Sequence, residues 1–149
     1  MAYDTAAGVT FEVTTEAPAT YDETGFAALT YTLVGEVTEV GEVLGKTYEM
    51  VEHLPLASRG VKKSKGSYNN GSIAPTVAFD EDDAGQAILL AAVDSDDPIS
   101  FLITLDSGYQ IYGTGLVMGM PVSIGDANTT NTGTPTIEIT DLGFVTVAA

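Results

Sequence analysis

The chain has 149 residues, of which 21 are acidic and five are basic, so its net charge at pH 7 is −16. It has no cysteine and one histidine, His53, which excludes disulfide frameworks, thiolate metal sites and histidine-rich metal centres. The charge disfavours binding to nucleic acid phosphates, whereas a hydrophobic content of 44% is too high for a disordered chain. These values predict one acidic, folded domain over residues 1–149.

Two features argue against export or membrane insertion. Residues 1–10 lack the basic start and the apolar run of a signal peptide. The longest apolar run, at 87–93, is far shorter than the roughly 18 residues that span a bilayer. We therefore expect neither a secretory leader nor a membrane span.

The first third of the chain has mostly β-type patterning. Residues 9–13 alternate between apolar and polar side chains, as in a half-buried strand, and residues 22–29 favour a short helix. Residues 30–43 alternate again. They predict one long strand with a kink at Gly35 or Gly41.

The basic residues cluster in the middle of the chain. Residues 46–54 alternate only weakly, as an edge strand does, and residues 57–72 then carry most of the cations. These cations are Arg59, Lys62, Lys63 and Lys65. Glycines in this segment and the Asn70-Gly71 pair at its end favour a mobile turn. We therefore expect a flexible basic loop at about 57–72, followed by a strand over 73–79.

Residues 82–93 predict the main helix. An apolar stripe recurs at helical spacing, formed by Ala84, Ala87, Ile88, Ala91 and Ala92. Acidic residues at 80–83 suit the N-terminus of this helix, where they cap free N–H groups and complement the helix dipole. We expect the helix to be substantially buried.

After Pro98 the β pattern returns. The predicted strands are 99–105, 110–120, 137–139 and 144–147, with a polar loop at 125–134. With the earlier segments this makes about seven strands and one packed helix. The predicted fold class is therefore α+β, mainly β: a β-sandwich or partly closed barrel.

The sequence lacks the residue patterns of catalysis. His53 lies on a weak strand, and no Gly-x-Ser-x-Gly motif accompanies it. The acidic clusters at 80–83 and 94–97 offer calcium ligands but do not have EF-hand spacing. Helix capping and a solvated loop are simpler interpretations of these clusters. We therefore predict a protein that is not an enzyme, with no catalytic residue, no cofactor and no metal site.

The basic segment has a functional interpretation and a simpler one. A basic loop on an acidic body is complementary to a second copy of the same chain, so it can steer copies together head to tail. Head-to-tail contacts build rings or open stacks. The simpler interpretation is a solvated hairpin.

Several local patterns resemble those of a known family. They are Ala-Thr-Tyr at 19–21, Gly-Phe-Ala-Ala-Leu at 25–29, Tyr-Thr through Gly-Glu-Val at 31–37, Lys-Gly-Ser-Tyr-Asn-Asn-Gly at 65–71, Asp-Ala-Gly-Gln-Ala at 83–87, and Tyr112 to Met118 with Pro121 after it. Over residues 10–145 the chain resembles the tail tube, or major tail, proteins of long-tailed phages and related gene transfer agents.

The resemblance implies a structural virion protein. Such subunits form hexameric rings that stack into a hollow tube, through which DNA leaves the head without specific binding. A long loop between early strands reaches the next ring, and the matching residues here are Arg59, Lys62, Lys63, Lys65, Tyr68, Asn69 and Asn70. The implied partners are further copies of the chain and the tape measure, initiator and terminator proteins of the tail. The implied location is the virion tail, assembled in the host cytoplasm.

The acidity suggests how such a tube conducts DNA. A lumen lined by carboxylates repels the DNA backbone. Glu36, Glu39 and Glu42 are candidates for this lining, because a continuous strand over 30–43 would bring Glu36 and Glu42 to one face. A solvated outer face is the alternative position for all three.

Other functions remain open at this stage. The chain also fits another non-enzymatic virion β-protein, such as a head decoration or head–tail joining subunit, which needs no loop between stacked rings. A calcium-dependent extracellular binding module is a second alternative. The acid excess is also typical of proteins from salty habitats, which is compatible with any of these functions.

Overall fold

The computed structural model describes residues 5–148. In chain order its elements are β1 (Thr10–Thr14), α1 (Glu23–Ala27), β2 (Thr32–Leu33), β3 (Val37–Glu39), β4 (Thr47–His53), β5 (Lys62–Asn69), β6 (Ser72–Ile73), β7 (Thr76–Ala78), α2 (Ala84–Val93), β8 (Ile99–Thr104), β9 (Gln110–Gly119), β10 (Val122–Ser123), β11 (Thr132–Gly133) and β12 (Thr136–Val147). The strands form a six-stranded sheet in the order β2-β1-β8-β9-β12-β6, a four-stranded sheet in the order β10-β11-β7-β3, and a separate pair, β4-β5.

The main core lies between the two larger sheets and helix α2. Phe11 and Phe101 of the six-stranded sheet, Val77 of the four-stranded sheet and Leu89 of α2 are fully buried in one cluster. A Cβ on Gly113 would lie 2.6 Å from Cζ of Phe101, so glycine at this position leaves room for the ring. The mainly β fold with one packed helix, predicted from the sequence, is confirmed.

A smaller cluster covers the opposite face of the six-stranded sheet. Phe26 of α1 stacks on Tyr112 with 5.3 Å between ring centroids, and both are buried. Asp22 caps α1 by accepting a hydrogen bond from the Gly25 N–H at 2.9 Å, and this bond lowers the pKa of the Asp22 carboxyl. Burial raises the pKa of the Tyr112 hydroxyl. The short helix predicted within 22–29 is therefore present.

The single long strand predicted over 30–43 is wrong. The segment forms β2 and β3, which belong to different sheets, and Glu36 between them has φ +59°. The start of α2 holds this break. The Gly35 N–H donates to Asp83 Oδ2 at 3.1 Å, and Gln86 Nε2 donates to the Gly35 carbonyl at 3.1 Å. These bonds draw the chain away from the six-stranded sheet.

The helix predicted over 82–93 forms as α2, but only part of the predicted apolar stripe faces the core: Ala92 is buried there, and Ile88 packs against the core while partly exposed. Ala84, Ala87 and Ala91 are exposed. The buried face consists of Gly85, Gln86, Leu89 and Ala92. Because α2 is apolar on almost every side, the spacing of apolar residues does not single out one face. The polar Gln86 is buried because its amide group is hydrogen-bonded to backbone.

The strand predicted over 73–79 is divided between two sheets. Ile73 pairs with Ile137 in the six-stranded sheet, whereas Val77 pairs in the four-stranded sheet. Pro75 lies between them and has no N–H to donate to a continuous ladder. Both apolar side chains still reach the common core, as the alternation indicated.

The basic segment predicted as a flexible loop at 57–72 is largely a β-strand. Strand β5 pairs with β4 to form a hairpin, with its connecting loop at 54–61. The turn predicted at Asn70-Gly71 is a corner that leads from this hairpin to β6. Gly71 has φ +85° there, a conformation that favours glycine.

Candidate assembly interface

The β4–β5 hairpin is exposed along almost its whole length, and we call residues 46–69 the basic arm. Every residue of β4 is exposed, and so are all residues of β5 except Gly66. At the usual strand rise, the seven residues of β4 extend about 23 Å. A two-stranded ribbon of this kind is marginally stable by itself. The arm therefore has the form of an element that packs on another surface.

Charge divides sharply between the basic arm and the rest of the chain. All five basic residues lie within 46–65, and the arm contains only two acids, Glu49 and Glu52. Five cations against two acids give the arm a formal charge of +3, and the remaining 19 acids have no basic residue beside them in the chain. Electrostatic attraction between two copies is therefore favoured when the arm of one approaches the acidic body of the other.

An aromatic pair stiffens the lower half of the basic arm. The rings of Tyr48 and Tyr68 face each other across the strands at 5.5 Å between centroids. Lys46 Nζ lies 4.1 Å from the Tyr68 ring centroid, and Lys65 Nζ lies 4.7 Å from that of Tyr48. These are cation–π contacts, each worth about 0.5–1 kcal/mol at an exposed site.

The far end of the basic arm combines exposed aliphatic side chains with basic ones. The loop at 54–61 exposes Leu54, Leu56 and Val61, and Leu56 is exposed over its whole side chain. Arg59 lies in the same loop, and Lys62 begins β5 beside it. We call residues 54–62 the arm tip. Exposed aliphatic side chains grouped on a strongly charged protein indicate a binding surface.

The base of the basic arm is fixed within its own subunit. Asn70 is buried, and its Nδ2 donates to the Thr140 carbonyl at 2.8 Å. The Gly71 N–H donates to Asn69 Oδ1 at 2.7 Å. Of the residues predicted to contact a second subunit, Asn70 is buried at the base of the arm and Asn69 is exposed beside it. Arg59, Lys62, Lys63, Lys65 and Tyr68 lie exposed farther along the arm.

An open apolar groove of about 510 Å³ lies between the start of β1, the end of β8 and residues 37–43. We call it the valine groove. Its apolar lining residues are Val9, Val37, Val40, Val43, Ile103 and Leu105. Glu39 and Glu42 also line it and are exposed. This volume is within the range of ordinary ligand pockets.

The three glutamates proposed for a lumen are all exposed, but they do not share one strand face. Glu36 lies at the break before β3, and its carbonyl accepts the Ala78 N–H at 2.8 Å. Glu39 ends β3, and Glu42 follows it outside any strand. The structure thus places Glu39 and Glu42 at the valine groove and Glu36 outside its lining.

Comparison with solved structures gives the fold a clear relationship. The SPP1 tail tube superposes with a TM-score of 0.63 at 14% identity, covering 95% of this chain and 77% of that one. A chain from the anti-feeding prophage baseplate gives 0.70 at 9% identity, covering 99% and 98%. The chain has the tail tube fold. A chain of the sheath/tube terminator of the PVC extracellular contractile injection system gives 0.65 at 11% identity, covering 98% of both chains.

The similarity to tail tube proteins is found by comparing structures and not by comparing sequences. No family model and no curated protein sequence matches the chain. The tail tube fold is shared by these phage tail and contractile injection assemblies, and it confirms the fold that the sequence resemblance implied. The chains with this fold are structural components: they belong to a tail tube, a baseplate and a sheath/tube terminator.

The acidic cluster at 80–83 has a structural role in this tail tube fold. Asp83 caps α2 by accepting the Gln86 N–H at 2.9 Å, and Asp80 accepts the Asp82 N–H at 3.0 Å. Across residues 5–148, no group of three or more acidic or histidine side chains has the arrangement of a metal site. His53 is exposed on the basic arm, opposite Lys62.

Helix length bears on membrane insertion. None of the helices formed by residues 5–148 is long and apolar enough to cross a membrane.

Proposed function

We propose that this protein is the subunit of a tail tube, which polymerises as stacked rings with the basic arm as the link between copies. The fold supports a tube subunit, and one observation of this chain supports the link. All of its cations lie on a hairpin that projects from an otherwise acidic body. Such segregation favours contacts between different surfaces of identical copies, and repeated contacts of that kind close into rings or extend as stacks.

We further propose that the tube belongs to a phage or phage-like particle and conducts DNA. The body carries 19 acids without a basic residue, so a lumen formed by its surface has negative potential. A negative wall repels the phosphate backbone, which lets DNA pass without specific binding. Of the three glutamates suggested for this wall, Glu36 remains a candidate, because it lies outside the valine groove.

The proposal also names the partners of a tail. The tape measure, initiator and terminator proteins would contact the tube along its lumen and at its two ends. The tube would reside in the virion tail, after assembly in the host cytoplasm. An excess of acidic surface on every copy makes an initiator useful, because it suppresses association of free subunits before a nucleus is present.

The first experiment is direct imaging of the purified protein. The protein is concentrated at low and at high salt and examined by negative-stain electron microscopy, with mixing against a tail initiator as a further condition. Rings or hollow tubes of uniform diameter are the expected result. Monomers that persist in every condition, including with an initiator, would contradict the proposal.

The alternative of a head decoration or joining protein gives a different result in the same experiment. Such a protein forms at most closed rings, because it has no need of contacts between successive rings. Extended tubes therefore separate the two functions.

A further inference from the structure

We infer that the valine groove is the receptor for the arm tip of a second copy of the chain. The inference rests on the proposed tube function and specifies the two surfaces that meet. Two complementarities and one distance support it.

The first complementarity is apolar. The valine groove presents four valines and two larger aliphatic side chains, and most of them are only partly buried in the main core. The arm tip presents Leu54, Leu56 and Val61, which make no core of their own and are exposed. Burial of three aliphatic side chains in a groove of about 510 Å³ removes both apolar surfaces from water.

The second complementarity is electrostatic. Glu39 and Glu42 lie at the valine groove and are exposed. The arm tip carries Arg59 and Lys62 next to its aliphatic side chains. An acidic rim around an apolar groove thus matches a basic border around an apolar tip, which favours this docking over a contact between two acidic surfaces.

The length of the basic arm indicates that the tip comes from another copy. The valine groove includes Val43, which precedes β4 by only a few residues and so lies near the base of the arm. The tip lies about 23 Å from that base along β4. A straight hairpin therefore carries its tip away from its own groove. Because tip and groove are different surfaces, each copy offers one of each, and repeated docking links many copies into a ring or a stack.

Cysteine cross-linking tests the contact, because the chain has no cysteine of its own. The double variant Val40→Cys with Leu56→Cys is assembled into tubes and treated with a mild oxidant or a short bifunctional thiol reagent. We expect a ladder of covalent dimers, trimers and longer multimers on a denaturing gel. The matched control is Met118→Cys with Leu56→Cys, because Met118 is exposed on β9 outside the valine groove.

The outcomes separate the inference from the proposed function. Failure of the unmodified chain to form tubes in any condition overturns the tube function. Tubes in which the Val40 pair cross-links no better than the Met118 pair overturn the receptor assignment and leave the tube function intact. A cross-link within one chain, seen as a faster monomer band without a ladder, also overturns the assignment.

A charge exchange gives a second test that needs no thiol. Glu39→Lys with Glu42→Lys, and separately Arg59→Glu with Lys62→Glu, each replace attraction by repulsion. We expect either double variant to raise the concentration needed for tube growth on the order of fivefold. The quadruple variant should recover most of that loss. Absence of recovery, with all variants retaining the thermal midpoint of the unmodified monomer, contradicts the contact.

Discussion

The basic arm and the rest of the described chain, which we call the body, differ in how much of their surface is buried. The body packs Phe11, Phe101 and Leu89 at almost zero exposure between two sheets and a helix. The arm consists of two strands of seven and eight residues, and it exposes nearly every one of them. The body is therefore stabilised by its own core, whereas the arm depends on one aromatic pair and on whatever surface it contacts. The comparison teaches that stability and assembly are encoded in separate segments, which substitutions can alter independently.

Removal of the basic arm is the most drastic way to test this separation. A Cβ on Gly71 would lie 3.0 Å from the Gly45 carbonyl oxygen, so the ends of the arm are adjacent. A chain in which residues 46–69 are replaced by two glycines should keep the body fold. We expect a monomer that still unfolds in one cooperative thermal transition and forms no tubes by electron microscopy. Tubes formed without the arm would show that other surfaces link the copies.

Two truncations, one in the core and one in the arm, separate effects on stability from effects on assembly. Phe101→Ala removes a ring at the centre of the main core and should lower the free energy of unfolding by about 3–5 kcal/mol. Leu56→Ala removes a fully exposed side chain and should leave the monomer's stability unchanged, within about 0.5 kcal/mol. Denaturant unfolding measures both effects. Tube growth should be impaired in Leu56→Ala despite its normal stability, and the opposite pattern would contradict the division of roles.

Gln86 tests how the body holds the chain between its two sheets. Its Nε2 donates to the carbonyls of Gly35 and Ala78, and its Oε1 accepts the Asp80 N–H. Gln86→Ala leaves these groups without their partner in a buried site, so we expect a loss of about 2–3 kcal/mol in unfolding free energy. The control is Ala87→Gln, an exposed change on the same helix, which should have little effect in the same thermal or denaturant measurement.

The sequence predicted the parts of the fold that depend on local pattern. Residues 99–105 have an apolar side chain at every second position, and they form β8, which pairs with β9 at the centre of the six-stranded sheet. The cap at Asp83 was recognisable because an acid before an apolar helix has few other structural roles. The errors arose where distant contacts override local pattern. Bonds from Asp83 and Gln86 to Gly35 break a strand that alternation alone predicts to be continuous.

The same distinction applies to the candidate interface. Clustering of cations is a property of the sequence, so Arg59, Lys62, Lys63 and Lys65 were found without a structure. The valine groove combines Val9, which precedes β1, with residues 37–43 and the end of β8, and only the fold brings these distant segments together. Charge marks Glu39 and Glu42 in the sequence, but no spacing of residues shows that they lie beside an apolar groove.

Of the changes considered, salt should have the smallest effect on tube growth. Whether growth becomes faster or slower shows if repulsion or attraction between charges dominates assembly. Two bodies with 19 acids each repel each other, whereas the attractive arm carries only +3. At 0.1–0.15 M salt, interactions between exposed charges more than about 8–10 Å apart are largely screened. The repulsion, which is larger and acts over longer distances, loses more than the attraction, and apolar burial at the arm tip is not screened. Light scattering should therefore show faster growth or longer tubes as ionic strength rises moderately. Growth that salt blocks from the outset would mean that the contacts of the basic arm are mainly electrostatic and that the aliphatic tip contributes little.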